Sequence, residues 1–514
     1  MSSIFDKYLD ATDRIDPIKC VGHVSRVHGL LIESRGPQAT IGEICRIELG
    51  EEIGERQIEA EVVGLKDDIV QLMAYNETTG IKIGCRVIAS GTQLEVAVSG
   101  KLLGRILDYM GRPMDGKGDI ESIIRYPAMA APPAPNKRPT IKERISTGVR
   151  AIDGLLAVGR GQRLGIFAGA GVGKSTLLGM IARNTSADVN VVALIGERGK
   201  EVNEFLEYDL GKEGLARSVV IVSPGDAPPL ARLKGAHVAT AVAEYFRDQG
   251  LDVMLLFDSV TRFARAMREK GIAAGEPPAT RGFPPSMFDS MQKLLERSGT
   301  SEKGTITGFY TVLVEGGDMD EPVADTVKAI IDGHAVLSGA LAERYHYPAI
   351  DVLRSVSRNA HTVSGPETKK AVGVMRRLLA DYSVNEDFIN AGVYKQGTNP
   401  GIDKAIEKHM DIEQFLIQEV DERSSISETL SAMGKIAGVK IPEDEMGEYH
   451  PRKFILQNQE NEVFDDSLPA SETPDRAEFE ESGQDAGAES AGMEEIAANP
   501  ETEEQPGPLP LMNF

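Results

Sequence analysis

The chain contains no tryptophan, and aromatic residues make up only 5% of it. Binding single-stranded nucleic acid relies on aromatic platforms interleaved with base-rich stretches, and no such segment is found. Cysteine is equally sparse. Cys20, Cys45 and Cys85 are scattered through the first hundred residues without a CxxC pair, which argues against a zinc or redox site and fits a reducing compartment. No apolar run is long enough to cross a bilayer. The first residues, MSSIFDKYLDATDRID, lack the basic region and apolar core of a secretory signal. A cytoplasmic chain is expected.

What is present describes a multidomain globular protein. Its 514 residues are 41% hydrophobic and 26% charged, which suggests two to four domains. The net charge of −23 is unevenly distributed. From Ile441 to Phe514 there are 20 Asp and Glu against 3 Lys and Arg. That tail, 441–514, is expected to be disordered and solvated, because acidic chain poor in apolar residues cannot offset its ordering entropy. Its last residues, Pro508-Leu509-Pro510-Leu511-Met512-Asn513-Phe514, are more apolar and form a candidate docking motif.

Local patterns divide the rest. In 1–20, Ser3-Ile4-Phe5-Asp6 fits a capping box ahead of Tyr8 and Leu9, predicting a short amphipathic helix that folds against a partner or else a frayed end. Residues 21–95 alternate apolar and polar residues between glycine-rich turns, as in Ile58–Val62 and Ile69–Met73, and read as a small barrel or sandwich. Tyr126–Pro135 is proline-rich and excludes helix or central strand. Within 96–363, short apolar runs at Leu164–Ala168, Val191–Ile195, Val219–Val222, Val253–Phe257 and Gly308–Val314 alternate with helical stretches. This predicts a parallel sheet covered by helices. Residues 364–440 carry helical periodicity, for example Ala371, Val372, Met375, Leu378 and Leu379.

Three motifs carry chemistry. Ala168-Gly169-Ala170-Gly171-Val172-Gly173-Lys174-Ser175-Thr176 sits between an apolar strand and a helix. Glycines let backbone N–H groups approach the phosphates of ATP, Lys174 supplies a cation for the β and γ phosphates, and the Ser175 hydroxyl completes a Mg²⁺ shell. The generic phosphate loop has Gly where this chain has Ala168. Second, Val253–Phe257 ends in Asp258, a carboxylate at the ligand-binding edge of an α/β sheet that suits Mg²⁺ or its waters. Third, Glu197 follows Gly196 at the end of another strand. It fits the base that orients an attacking water, and equally an acid that satisfies a helix dipole.

The stretches AGAGVGKST, LIGERGKEV, LLFDSVTRFARAMRE, GEPPATRGFPPS, YPAIDVLRSVSR and GTNPGIDKAIE resemble the flagellar and type III secretion export ATPases, relatives of the catalytic subunit of rotary ATP synthases. The resemblance runs from about Val21 to Met433, and Ala168 itself looks like the flagellar branch. It implies a RecA-like ATPase core behind a β-barrel and ahead of a helical domain. It implies that Glu197 is the catalytic carboxylate, Arg198 a nucleotide-contacting arginine, Arg262 a residue near the Mg²⁺, and Tyr347 the aromatic that stacks on adenine. Arg358 corresponds to an arginine finger given to the next subunit. By residue type alone, Tyr347 fits a core tyrosine and Arg358 a surface ion pair. Gly317-Asp318-Met319-Asp320-Glu321-Pro322 departs at Gly317 and Glu321 from the family's Asp-Asp-x-x-Asp-Pro.

Having both Glu197 and Arg358 in one chain, the protein is expected to form a homo-oligomer, a ring of six by resemblance. The resemblance also implies a stator-like regulator at the N-terminus, a central stalk protein, an export gate and substrate–chaperone complexes. No nucleic-acid partner is expected, and membrane contact is peripheral at most. A virulence-type secretion ATPase, a rotary synthase subunit and an RNA translocase are the rival readings.

Overall fold

Alternation in the first strands closes a barrel. Ile58, Ala60 and Val62 point to one side of Gln57–Lys66 and are buried, as the two-residue period of a strand requires. In the computed structural model the described residues are 21–50 and 56–447. The expected helix in 1–20 and the tail beyond 447 lie outside them. Strands β1 (Val21–His28), β2 (Leu31–Arg35), β3 (Glu43–Glu48), β4 (Gln57–Lys66), β5 (Ile69–Ala74) and β6 (Arg86–Gln93) form a closed barrel in the order β1-β2-β5-β4-β3-β6. Its own core includes Ile32, Cys45, Ile47, Leu72 and Val87. A barrel, not a sandwich, is therefore the form taken.

A short ribbon, β7 (Glu95–Ala97) with β9 (Arg125–Pro127), leads away from the barrel, and β10 (Arg144–Ile145) pairs with β11 (Val158–Gly159). The proline-rich stretch contributes to an edge ribbon at Tyr126 and Pro127, as expected of a non-central segment. Beyond it, Pro135–Lys137 makes one 3₁₀ turn. Proline at the first helical position loses no hydrogen bond, so this turn is compatible with a segment that excludes longer helix.

The main sheet comprises β8 (Ile106–Leu107), β12 (Arg163–Ala168), β13 (Val189–Ile195), β14 (Ser218–Ser223), β15 (Asp252–Asp258), β16 (Gly299–Thr300), β17 (Thr305–Leu313), β18 (Gly333–Leu337) and β19 (Ile350–Ser357). Their order is β19-β18-β12-β17-β15-β13-β14-β8, with β16 beside β17. From β18 to β8 the pairings are parallel, and β19 closes the other edge antiparallel. Strands β13, β14 and β15 are buried at every position, which is why they read as continuous apolar runs. Helices Lys174–Asn184, Pro229–Asp248 and Val260–Ala273 pack on the sheet.

Helices Pro366–Asn390, Pro400–Leu416 and Ile426–Ala437 follow. Ala371, Met375 and Leu378 face inward, matching the periodicity. Asn399 caps the second of these helices, and Ser425 with Glu428 makes a capping box on the third.

Barrel and ATPase core meet through a buried ion pair. Glu61 on β4 faces away from the barrel interior and lies 2.7 Å from Lys234 Nζ, with the two side chains 4% and 6% exposed. The Tyr75 hydroxyl donates to the same carboxylate at 2.6 Å. Breaking such a pair leaves one charge uncompensated out of water. Lys234→Met is expected to destabilise the protein by about 3–5 kcal/mol, and adding Glu61→Gln to it should recover much of that loss. Denaturant unfolding midpoints of the single and double variants measure both effects.

Candidate active site

Three strands of one sheet, β12, β15 and β13, bring Lys174, Asp258 and Glu197 together at its carboxyl edge, with β17 between the first two. β12 ends at Ala168, and the loop turns through Gly171 (φ 76°) and Gly173 (φ 88°) before the helix starts at Lys174. These left-handed conformations are ones a glycine adopts without strain. The loop amides thus precede a helix N-terminus whose own N–H groups lack intrahelical partners, an arrangement suited to an anion.

The Lys174 ammonium reaches across to the ends of two other strands. Its Nζ lies 2.5 Å from Asp258 Oδ1 and 3.7 Å from Glu197 Oε1. Asp258 is buried at the end of β15, and its Oδ1 also accepts a 2.8 Å hydrogen bond from the Thr311 hydroxyl on β17. Glu197 follows β13. Gly196 before it has φ 75°, and a Cβ there would lie 2.8 Å from Arg262 Cβ. Its N–H donates to the Ser223 carbonyl at 2.7 Å, and the Glu197 carbonyl accepts from Gly225 N–H at 2.9 Å. The backbone beneath the carboxylate is therefore held from two sides.

Burial first, and then the charge of Asp258, pushes the Glu197 carboxyl up to about 7, against the opposing pull of Lys174 and Arg262. Glu197 also shares a hydrogen bond with Glu201, whose own carboxyl is lowered chiefly by that contact. Glu197 Oε1 and Arg262 Nε are both buried with no hydrogen-bond partner among the described residues. Unsatisfied buried polar atoms are costly, and two of them beside a phosphate loop mark a place for a polar ligand. The donors nearby, the Ser175 hydroxyl and the Asp258 carboxylate, are hard oxygens of the kind Mg²⁺ takes alongside substrate phosphates.

Tyr347 comes from the turn before β19. A Cβ built on Gly173 would sit 3.6 Å from its Cδ1 and Cε1, so the ring lies against the phosphate loop and remains 38% exposed. A core tyrosine would not be. The Thr176 side chain hydrogen-bonds Asp209. Arg198 points to solvent, its side chain 80% exposed and 3.6 Å from Glu201.

Arg358 stands apart. β19 runs antiparallel to β18, so Ser357 pairs with Gly333 at the start of β18, and Arg358 N–H donates to the Asp332 carbonyl. Asp332 N–H in turn donates to the carbonyl of Arg163, the first residue of β12. The phosphate loop begins at the last. Five residues of strand separate the two edges by about 17 Å, more than an arginine side chain spans. Arg358 is exposed and donates to the Lys328 carbonyl at 3.4 Å.

Sequence reasoning missed Thr311 and Glu201. The signal for Thr311 was a hydroxyl inside the otherwise apolar Phe309–Val314 run. At the departure from the family pattern, Gly317 has φ 76° and Asp318 pairs with Arg281 at 3.3 Å.

Residues 148–357 match the ATP synthase alpha/beta family, nucleotide-binding domain, residues 24–91 the beta-barrel domain of the same family, and residues 364–435 the T3SS EscN ATPase C-terminal domain. The "Flagellum-specific ATP synthase" of Treponema pallidum is 53% identical over 441 residues, covering 86% of this chain and 98% of that protein. This chain belongs to the flagellar and type III secretion ATPase family. It is an ATP-hydrolysing enzyme. The Bacillus subtilis flagellum-specific ATP synthase is 50% identical over 84% of this chain and 98% of that one. A "Type 3 secretion system ATPase" from Xanthomonas euvesicatoria is 48% identical over 81% of this chain and 93% of that one. The assembled ATPase EscN of enteropathogenic E. coli superposes with a TM-score of 0.77 at 44% identity, covering 81% of this chain and all of that one. The RecA-like core, barrel and helical domain expected of this ATPase are those observed. Among its described residues, no helix is long and apolar enough to cross a membrane.

Proposed function

We propose that this ATPase energises protein export by the flagellar type III apparatus, acting in the cytoplasm as a ring of identical copies with active sites between neighbours. The observation that carries the reading is the separation of Lys174, Asp258 and Glu197 at one sheet edge from Arg358 at the other. A single copy holds two half-sites that cannot meet, and a cyclic assembly of identical chains joins them.

In this reading ATP lies on the loop amides of Gly169–Thr176, with Lys174 turning from Asp258 to the β and γ phosphates. Tyr347 stacks on the adenine. Ser175 and Asp258 hold Mg²⁺, which supplies neutralising charge to the phosphates. Glu197 orients the attacking water, Arg262 supports it, and Arg198 reaches nucleotide once a neighbour covers its exposed face. The neighbour's Arg358 meets the charge that develops on the transferred phosphoryl. Residues 1–20 bind a stator-like regulator, and a central stalk protein binds the ring, a partner supported by the similar E. coli ATPase EscN, solved in complex with its central stalk EscO. Export gate and substrate–chaperone complexes are the remaining partners, at the cytoplasmic face of the apparatus.

The flagellar assignment is supported by 53% and 50% identity to relatives carrying that name. The 48% identity to the Xanthomonas protein supports the alternative of a non-flagellar secretion system. Deleting the gene decides between them: loss of swimming and of flagellar filament secretion supports the first reading, and intact motility overturns it.

The raised Glu197 carboxyl sets a pH profile. The base is the carboxylate, so below about 7 the free enzyme carries the inactive, protonated form. kcat/KM is expected to rise about tenfold per pH unit below that point and to level off above it. Because the fold favours the protonated form, its contribution to stability fades as pH rises from the ordinary carboxylate range through about 7. Steady-state kinetics across pH checks the profile, and Glu197→Gln should remove that limb.

A further inference from the structure

The turn that carries Tyr347 is tied to the helical domain. The Tyr347 carbonyl accepts a 2.8 Å hydrogen bond from the N–H of Gln418, which lies just past the end of the helix Pro400–Leu416. The residue before Tyr347 is tied to the same helix, with His346 Nδ1 2.9 Å from Glu413 Oε2. The main chain that lays the ring against Gly173 is therefore anchored at a helix end as well as by β19.

The Gln418 side chain fixes that anchor. It is 3% exposed. Its Oε1 accepts from the Arg150 N–H at 2.8 Å, and its Nε2 donates to the carbonyls of Gly148 at 2.8 Å and Glu422 at 2.9 Å. A carboxamide offers an oxygen acceptor and two N–H donors, and here both kinds are used. The Arg150 guanidinium adds bonds to the Phe415 and Ile417 carbonyls and to the Glu422 carboxylate. Residues 415–422 are thus bound to Gly148 and Arg150. A Cβ on Gly148 would lie 2.3 Å from Cβ of Asn184, the last residue of the helix that starts at Lys174. One end of that helix carries the phosphate loop. The other end bears on the strip that, through Gln418, holds Tyr347.

The chemistry asked of position 418 is narrow. An ionised glutamate of the same shape has no donor and would turn a carboxylate toward two carbonyl oxygens. A methionine of similar length leaves the Gly148 and Glu422 carbonyls and the Arg150 N–H without this partner, a cost that buried polar groups make large. Either change frees the main chain at 418, and with it the N–H that holds the Tyr347 carbonyl.

We propose that Gln418 is a positioning residue for the base site, holding Tyr347 in register with the phosphate loop and so setting the affinity for nucleotide from a buried place of its own. This role rests on the reading of Tyr347 as the ring that stacks on adenine.

Steady-state ATP hydrolysis by Tyr347→Ala, Gln418→Glu and the double variant of the full chain tests it. Tyr347→Ala is expected to raise KM for ATP about 5–150-fold, the scale of one lost base–aromatic stack. Gln418→Glu should raise it about five- to tenfold with kcat changed less than about threefold. In the Tyr347→Ala background the same change should add less than about twofold, because a residue that acts through the ring has nothing left to act on. An unmoved KM in Gln418→Glu, or an equal rise in both backgrounds, overturns the role of Gln418 and leaves the stacking intact. A parental KM in Tyr347→Ala overturns the stacking, and the positioning role with it. Gln418→Met, which buries no charge, repeats the cycle where Gln418→Glu does not fold. Loss of cooperative unfolding in both variants assigns Gln418 to stability alone and overturns the proposal.

Discussion

Arg358→Ala and Glu197→Gln chains, each inactive alone, are expected to recover ATP turnover when mixed. The loss in the first is expected at about 10³–10⁵-fold, the range for a guanidinium that meets the transferred phosphoryl. The loss in the second is expected at about 10²–10⁴-fold, that of a positioned base. The recovery follows from geometry. β19 carries Arg358 back to the amino edge of the sheet, away from the Lys174 and Glu197 of its own copy. An Arg358→Ala copy keeps Glu197 and can borrow the arginine of a Glu197→Gln neighbour. In a randomly mixed ring about one interface in four has both intact groups, which sets the ceiling for independent sites. Mixing the two proteins at fixed total concentration and following phosphate release measures it. Were both residues to act within one chain, every mixture would stay inactive.

Lys174→Ala should be as severe for a different reason. Its ammonium lies between two buried carboxylates, 2.5 Å from Asp258 and 3.7 Å from Glu197. Without it, Asp258 and Glu197 face each other with Arg262 as the remaining opposing charge, and the phosphates lose the cation of the loop. Turnover is expected to fall at least about 10²–10³-fold, the cost of removing one preorganised group from a developing charge. The Glu197 carboxyl, already pushed up to about 7 by burial and Asp258, should move higher still. The double effect separates this variant from a misfolded one. Thermal unfolding should remain cooperative while the residual kcat/KM limb shifts to higher pH. A parental rate with an unmoved profile would show that Lys174 does not touch the nucleotide.

The parts of the site legible in advance are those whose meaning is local. The phosphate loop reads directly because glycine conformation, lysine and hydroxyl follow one another within nine residues between a strand and a helix. Asp258 reads as the end of an apolar strand. Glu197 is ambiguous by itself, since a strand-terminal acid before a helix serves either a dipole or a reaction. Its burial and its contacts with Lys174, Arg262 and Glu201 depend on which strands adjoin, and that is a property of the sheet. Thr176, assigned to the nucleotide by its position in the motif, has its hydroxyl committed to Asp209, a residue more than thirty positions away in the chain. Thr311 gains meaning only because β17 lies next to β15.

The amino-acid order by itself determined the domain types and the phosphate-binding chemistry, because alternation, apolar runs and a contiguous motif act over a few residues. Tertiary structure alone decided three things: the Glu61–Lys234 pair that joins barrel to core, the shift of Glu197, and the stranding of Arg358 on the far edge. Each depends on strand order and register, which bring together or hold apart residues that chain position does not relate.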